Sequence, residues 1–564
     1  MSSGGLLRFV PGLTMLSHYR RRWLRSDLIA GTVLATLLVP QGMAYAGLAG
    51  LPAVTGLYTT VACLVGYAVL GPSRILVLGP DSAVSPMILA AITPLLVSRD
   101  PAAAIALAGL LAVLIGLFEI ALGLGHLGFV ADLLSKEVKV GYLNGLAVVI
   151  VISQLPKLFG FSTDASGTLH EVSAFAGALN HTNLVTLGFG LGSLVLLVAL
   201  PKLTRRVPAV LVVIVAATAL SALLGLSARH GVHTVGPLPH GLPVPRLPFT
   251  RWSDVGPLFL AAVGITLVSL TDTIATSAGF AARRGDQVSP DQEMIAVGGA
   301  NIAAGLFQGF AVSSSASRTA VAEQAGARSQ LTGLIGAAIV VLLLVFFNGL
   351  LSSLPQTALA AVIIGAAWTL LDVAALRRYW RVRPSAVVVS LTATVGVVLL
   401  GVLEGILFAM GLSILLFFRS NWWPHGVVLR RSADRGWHAQ EPDVGVDEIP
   451  GVVVFRWEAP LFFANAGIFA RTLTSLVHEK QARWVVLQCE AITDIDVSAA
   501  DALEDLDRRL NDEGVHILFV ELRARLHHQL DRYGKFTTLD REHFYPSVDA
   551  ALDDVRRAGP GTSV

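Results

Sequence analysis

Val312-Ser313-Ser314-Ser315-Ala316-Ser317-Arg318 places hydroxyls, small side chains and one guanidinium among long apolar segments. An arginine at the centre of a membrane-spanning helix costs roughly 2.5 to 3.5 kcal/mol unless it lines a cavity or meets a counter-charge. The small residues leave backbone amides free at what reads as the start of a short helix, 316 to 324. Such a start offers N–H groups and positive dipole to an anion. A competing reading has the serines easing helix packing and Arg318 reaching for an interface.

A second stretch weighs against that alternative. Gly79-Pro80-Asp81-Ser82-Ala83-Val84-Ser85 is again small and hydroxyl-rich and precedes an apolar segment too short to span. About 41 residues before Ser82 lies Gln41, in Pro40-Gln41-Gly42-Met43-Ala44-Tyr45. About 42 before Ser314 lies Asp272, in Thr271-Asp272-Thr273-Ile274-Ala275-Thr276. A polar spot in a full span followed by a polar half-helix therefore occurs twice, about 231 residues apart. Paired interrupted segments in corresponding halves point to a transporter's midplane site.

The whole chain fits this setting. It is 54% hydrophobic and only 14% charged, with mean hydropathy +0.67 over 564 residues, against about 25% charged in soluble proteins. A net charge of +2, spread over inter-helix loops, gives no nucleic-acid patch. Cys63 and Cys489 alone make neither a disulfide framework nor a metal site. The basic segment 1–27 precedes a retained first span, which lacks a small-residue cleavage motif. Hydropathy and turn breaks place fourteen spans near 28–46, 53–70, 83–97, 101–124, 133–154, 183–200, 207–226, 256–278, 292–309, 316–327, 330–350, 356–371, 384–400 and 403–419. The third and tenth are short. With this topology eighteen Lys and Arg fall in inside loops and five in outside loops, so both termini are expected in the cytoplasm. After Arg419 the composition changes. Residues 420–449 read as a linker, and 450–558 alternate strands (452–457, 461–463, 484–489, 516–522) with helices (467–478, 498–510, 546–557), a small α/β domain. Residues 559–564 are a tail.

Several motifs together resemble the sulfate permeases (SulP): Pro40-Gln41-Gly42-Met43-Ala44-Tyr45-Ala46, Gly71-Pro72-Ser73-Arg74 followed by Leu78-Gly79-Pro80, and Ser315-Ala316-Ser317-Arg318. The C-terminal domain looks like a STAS (sulfate transporter and anti-sigma factor antagonist) module. The resemblance implies seven-plus-seven inverted repeats with half-helices 3 and 10, a core domain moving against a gate domain, and a homodimer. It also implies that Gln41 and Tyr45, one turn apart, line the substrate pocket.

The expected site has the two half-helix N-termini facing each other. Ser82, Ala83, Ser315 and Ala316 offer backbone amides, and Ser82, Ser315 and Ser317 add hydroxyls beside Arg318. Asp272 and Thr276 share a face of the eighth span. There Asp272 carries a coupling proton, or with Thr276 and carbonyls of the tenth-segment break cages Na+, or pairs statically with Arg318. Asp81 stands at a dipole-favoured place for a carboxylate, yet its charge opposes an anion. Glu119 reads as buried and structural, Glu404 as interfacial, His527 and His528 as solvent-facing. Ser498 reads as a helix cap, where anti-sigma antagonists carry a phosphorylated serine. Gly123-x-Gly125-x-x-Gly128 follows a helix, so its dinucleotide spelling is chance.

The expected function is secondary active transport of a small inorganic oxyanion, sulfate with protons, by alternating access in the cell (plasma) membrane. Sodium-coupled bicarbonate transport, dicarboxylate transport, and a membrane-anchored signalling role for the STAS domain with a cytoplasmic partner stay open. No cofactor beyond a co-transported proton or Na+ is expected. No nucleophile–base pair, metal cluster or phosphate loop suggests an enzyme.

Overall fold

The computed structural model describes residues 10–96, 100–128, 135–163, 167–204, 208–239, 241–248, 250–422, 424, 426–432, 436–438, 449–535, 539 and 543–558. The tail 559–564, part of segment 1–27 and half of the expected linker lie outside them. The chain divides into two compact units, Met1–Ser413 and Ile414–Val564.

Unit one is helical. Its main helices are α1 Leu24–Leu48, α2 Ala53–Leu70, α3 Ser85–Ile92, α4 Pro101–Leu124, α5 Lys136–Phe159, α6 Leu184–Leu203, α7 Ala209–Leu224, α8 Trp252–Arg284, α9 Pro290–Leu306, α10 Ala316–Gln324, α11 Leu331–Phe346, α12 Gln356–Leu370 and α13 Pro384–Leu400, and α14 Val402–Trp422 leaves it. Each expected span coincides with one of them. Seven helices among the described residues are long and apolar enough to cross a membrane. Shorter helices at Thr168–Gly177 and Val373–Val382 were not expected. Local chemistry sets several boundaries: Asp100 caps Ala102 N ahead of Pro101, Ser135 caps Val138 N, and Gly160 ends α5 in the left-handed region at φ +89°.

Packing sorts the helices into two groups. In one, α1, α2, α4, α8, α9 and α11 enclose α3 and α10; in the other, α5, α6, α7, α12 and α13 pack together, and α7 and α12 also touch α1. Helices α4 and α9 meet along glycines spaced by seven. A Cβ on Gly116 would stand 2.4 Å from Gly298 O, and one on Gly305 2.5 Å from Gly109 O. Gly123 continues the stripe against Asp291 O, so it serves helix packing. Asp27, expected in the approach segment, is instead buried inside α1. It accepts from Arg328 N (2.7 Å), Ser329 Oγ (2.7 Å) and Thr332 Oγ1 (3.0 Å), tying the start of α1 to the turn before α11.

Unit two is a five-stranded sheet in the order β3 Gly426–Val428, β4 Val452–Trp457, β5 Trp484–Gln488, β6 His516–Val520, β7 Phe544–Tyr545. Only the β3–β4 pairing is antiparallel. Strand alternation divides its core in two. Val453, Phe455 and Trp457 face α15 Ala466–Lys480, α16 Val497–Asp512 and α17 Ala524–Arg532, while Val454 faces α18 Val548–Ala558. Two expectations change. Residues 461–463 form no strand, only an isolated Leu461–Ile495 bridge. The stretch read as linker supplies β3, because Val427 and Val428 find an open edge on β4. Helix α17 escaped notice, since its polar sequence offers only Leu526 and Leu530 to the core.

Candidate functional site

The two interrupted segments meet through a short antiparallel pair, β1 Leu78–Gly79 with β2 Ser313–Ser314, in register Leu78 to Ser314 and Gly79 to Ser313. Side bonds lock it: Ser315 N donates to Val77 O (3.1 Å) and Val77 N to Thr319 Oγ1 (3.1 Å). From this crossing the chain turns into α3 on one side and α10 on the other, and α1 packs against both.

Arg318 is 1% exposed, so it does not reach for an interface. Its Nη1 donates to Pro80 O at 2.7 Å, and its guanidinium lies against Gly79, where a Cβ would stand 3.2 Å from Cζ. Nε and Nη2 have no partner among the described residues. A buried cation with two unspent donors is costly unless something anionic or hydrated joins it.

At the start of α3 the expectation for the amides is corrected. Ala83 N donates to Asp81 Oδ2 at 2.8 Å, so that amide is not free. Ser85 N and Oγ donate to Asp81 O at 3.0 and 2.7 Å. Asp81's own carboxylate thus occupies the positive end of α3, because a side chain two residues upstream reaches that amide without strain. At α10, Ser315 N is spent on Val77 O, and Ser315 Oγ caps Arg318 N (3.4 Å) while lying 3.1 Å from Ser317 Oγ. Ala316 and Ser317 are exposed. Their amides, with the one serine hydroxyl proton not spent between Ser315 and Ser317, are the donors left open at that end.

The third correction concerns Asp272. Its partner is Lys139 of α5, Nζ to Oδ1 2.7 Å, not Arg318. Position along α8 decides this: Arg318 is held back by Pro80 O, whereas α5 runs past α8 with Lys139 on the facing side. Tyr142, one turn further on α5, is 1% exposed with an unpartnered hydroxyl, in the electrostatic field of Asp272 and Asp81. Thr276 makes no hydrogen bond to a described residue; its neighbour Thr273 does, accepting from Ser314 N (3.3 Å) and meeting Ser313 Oγ (3.4 Å). Tyr45 is 6% exposed, beside Ser82 and in the field of Asp81 and Arg318. Gln41 is half-buried with its amide unbonded to described residues. Formally the cluster holds two cations, Arg318 and Lys139, and two carboxylates, Asp81 and Asp272.

Glu119 is structural. It accepts from Asn301 Nδ2 (2.7 Å) and Ser269 Oγ (3.0 Å), and Asn301 Oδ1 accepts Val312 N (2.7 Å), which fixes the residue before β2. Sequence reading passed over Lys139, Tyr142, Thr273 and Asn301. Lys139 was counted as a loop charge, although its place one turn inside α5, with Tyr142 at i+3, was the available signal. In unit two, the cap of α16 is Asp496, accepting Ala499 N (2.8 Å); Ser498 is exposed in the first turn. Glu404, His527 and His528 are exposed. No group of metal-ligating side chains occurs among the described residues.

Comparison with known proteins adds independent findings. Residues 24–393 match the profile of the sulfate permease family and residues 443–551 that of the STAS domain. A protein of Mycobacterium tuberculosis named a probable sulfate transporter is 38% identical over 560 residues, 99% of each chain. Murine solute carrier 26 family member A9, an anion transporter solved in the inward-facing state, superposes with TM-score 0.90 at 25% identity, over 99% of this chain and 95% of that one. The transmembrane domain of a cyanobacterial bicarbonate transporter gives TM-score 0.61 at 23% identity, over 70% of this chain and 98% of its own.

Proposed function

The chain belongs to the sulfate permease family, and we propose that this anion transporter carries sulfate together with protons by alternating access. The observation that carries the reading is Arg318: buried, fixed by Pro80 O, with Nε and Nη2 unspent where α3 and α10 converge. A fixed guanidinium fork suits a tetrahedral oxyanion. The open amides of Ala316 and Ser317 and the hydroxyls of Ser315 and Ser317, with Gln41, Tyr45 and Ser82, complete the donor set.

Charge balance supports protons as the coupling ion. Two cations already face two carboxylates, so a divalent anion leaves the cluster in excess negative charge unless a carboxylate is protonated. Sodium fits less well, because the Lys139 ammonium stands 2.7 Å from the Asp272 carboxylate that a sodium cage would need. The asymmetry of Lys and Arg supports cytoplasmic termini in a cell-membrane protein. The homodimer carries over from the family as part of this proposal.

Uptake of radiolabelled sulfate into proteoliposomes, with proton and sodium gradients imposed separately, tests the reading. Proton-driven, sodium-independent uptake is expected. Sodium-driven uptake of bicarbonate with no sulfate movement would overturn it, as would uptake of dicarboxylates alone.

A further inference from the structure

A second polar feature lies away from Arg318, at the far end of α5. There a cavity of about 290 Å³ opens between α1, the start of α2, α5 and α12, lined by Ala44, Gly47, Gln154, Lys157, Gln356 and apolar side chains of α12. Met43, Ala44 and Gly47 give the cavity a face of α1 distinct from the one that carries Gln41 and Tyr45. Lys157 and Lys139 are 18 residues apart on one helix, about 27 Å at 1.5 Å per residue. The two lysines therefore stand at opposite ends of α5. Lys139 is paired with Asp272, whereas Lys157 forms no ion pair with a described residue.

Two observations say that the cavity takes something polar. Lys157 brings a cation into walls that are largely apolar. Gln154 is 2% exposed; its Nε2 donates to Ser153 Oγ (3.1 Å), but its Oε1 is buried without a donor. A buried acceptor without a donor is costly unless water or a hydrated anion reaches it. At about 30 Å³ per water, the 290 Å³ volume has room for a small anion with its hydration shell, and it stands at the lower end of the roughly 300–1,000 Å³ of ligand pockets.

We propose that this cavity is a second binding site for small oxyanions, at the outer end of the route, where Lys157 holds the anion and Gln154 Oε1 accepts from its hydration water. This rests on the transporter reading above and extends it with an outer subsite on the helix group that includes α5. An anion captured there is passed inward to the Arg318 site. A cation at the mouth also raises the local concentration of anions in a salt-dependent way.

The test is sulfate flux measured in both directions in oriented proteoliposomes, comparing wild type with Lys157→Gln and Lys157→Arg. In Lys157→Gln the half-saturating concentration on the outer side should rise about five- to tenfold while that on the inner side stays put, and Lys157→Arg should restore it. Equal shifts on both sides, no shift, or no rescue by arginine would overturn the subsite. Wild-type flux reads the transporter proposal separately. Should wild type carry no sulfate, Lys157→Cys is labelled with an anionic thiosulfonate reagent, a clean readout because Cys63 and Cys489 are buried. Labelling from one face that sulfate slows at constant ionic strength supports the subsite; labelling that sulfate does not slow, or none, removes it.

Discussion

Lys139 Nζ stands 2.7 Å from Asp272 Oδ1, joining α5 of one helix group to α8 of the other. Both side chains are partly exposed, 25% and 33%, so the pair can open without leaving two dry charges. In the proposed alternating-access cycle, motion between the groups would stretch this bond. Asp272 thus reports the relative position of the groups as well as the charge of the site.

Removing one partner separates these roles. Lys139→Gln should leave Asp272 without its cation and slow sulfate uptake about tenfold, with a smaller loss of thermal stability, since partly exposed pairs contribute only about 1 kcal/mol. Exchanging the two charges, Lys139→Asp with Asp272→Lys, should recover stability but not transport. Uptake together with melting temperature in detergent checks both.

Arg318 tolerates no other cation. A lysine supplies one ammonium, which cannot hold Pro80 O and also present the donors that Nε and Nη2 offer. Arg318→Lys should abolish sulfate uptake nearly as fully as Arg318→Ala. Both variants should elute as folded protein on size exclusion, because Asp272 keeps Lys139. Near-normal uptake by the lysine variant would refute the fork geometry.

At Asp81 the expected direction is a gain. Its carboxylate takes the Ala83 amide and adds negative charge to the site. Asp81→Asn keeps an oxygen for that amide while removing the charge. Sulfate should then half-saturate at a concentration several-fold lower, roughly what 1 kcal/mol of relieved repulsion gives, and uptake should depend less steeply on pH. Flux over a pH series measures both.

Glu119 supports the site from behind. Glu119→Ala leaves Asn301 Nδ2 and Ser269 Oγ with only their long contacts to Val312 O (3.4 and 3.5 Å), a loss of about 1 kcal/mol for each hydrogen bond removed. A lower melting temperature is expected, with sulfate uptake falling as β2 loosens. An unchanged melting temperature would exclude this bracing.

The C-terminal unit provides a pH test with a definite sign. Lys535 Nζ lies 2.5 Å from both Asp501 Oδ1 and Glu504 Oε2, and its hydrogen bonds to Asp501 and then Glu504 raise its pKa above the usual value. A raised folded-state pKa gives stability that is complete below the unfolded value, about 10.4 for lysine, and fades as pH climbs through the folded one. Lys535→Met should therefore lower the unfolding temperature of this unit near neutral pH, by a gap that narrows in strongly alkaline buffer. Calorimetry of the whole protein follows it.

The sequence by itself determined the helical membrane unit, the α/β unit and the two interrupted segments, and it singled out Arg318. Each of these is written in local pattern: apolar length, strand alternation, and a guanidinium among small residues where hydrocarbon would make it costly. Tertiary structure decided the partners. Lys139 and Asp272 are 133 residues apart, Glu119 and Asn301 182 apart, and Arg318 and Pro80 238 apart. No periodicity encodes such pairings, because they depend on which helix faces meet. The half-helix reading also treated the amides of Ala83 and Ser315 as free, whereas a local turn gives Ala83 N to Asp81 and the crossing of the two segments gives Ser315 N to Val77. Strand β3 escaped for a related reason: three residues of ordinary composition become a strand only because β4 offers them an edge.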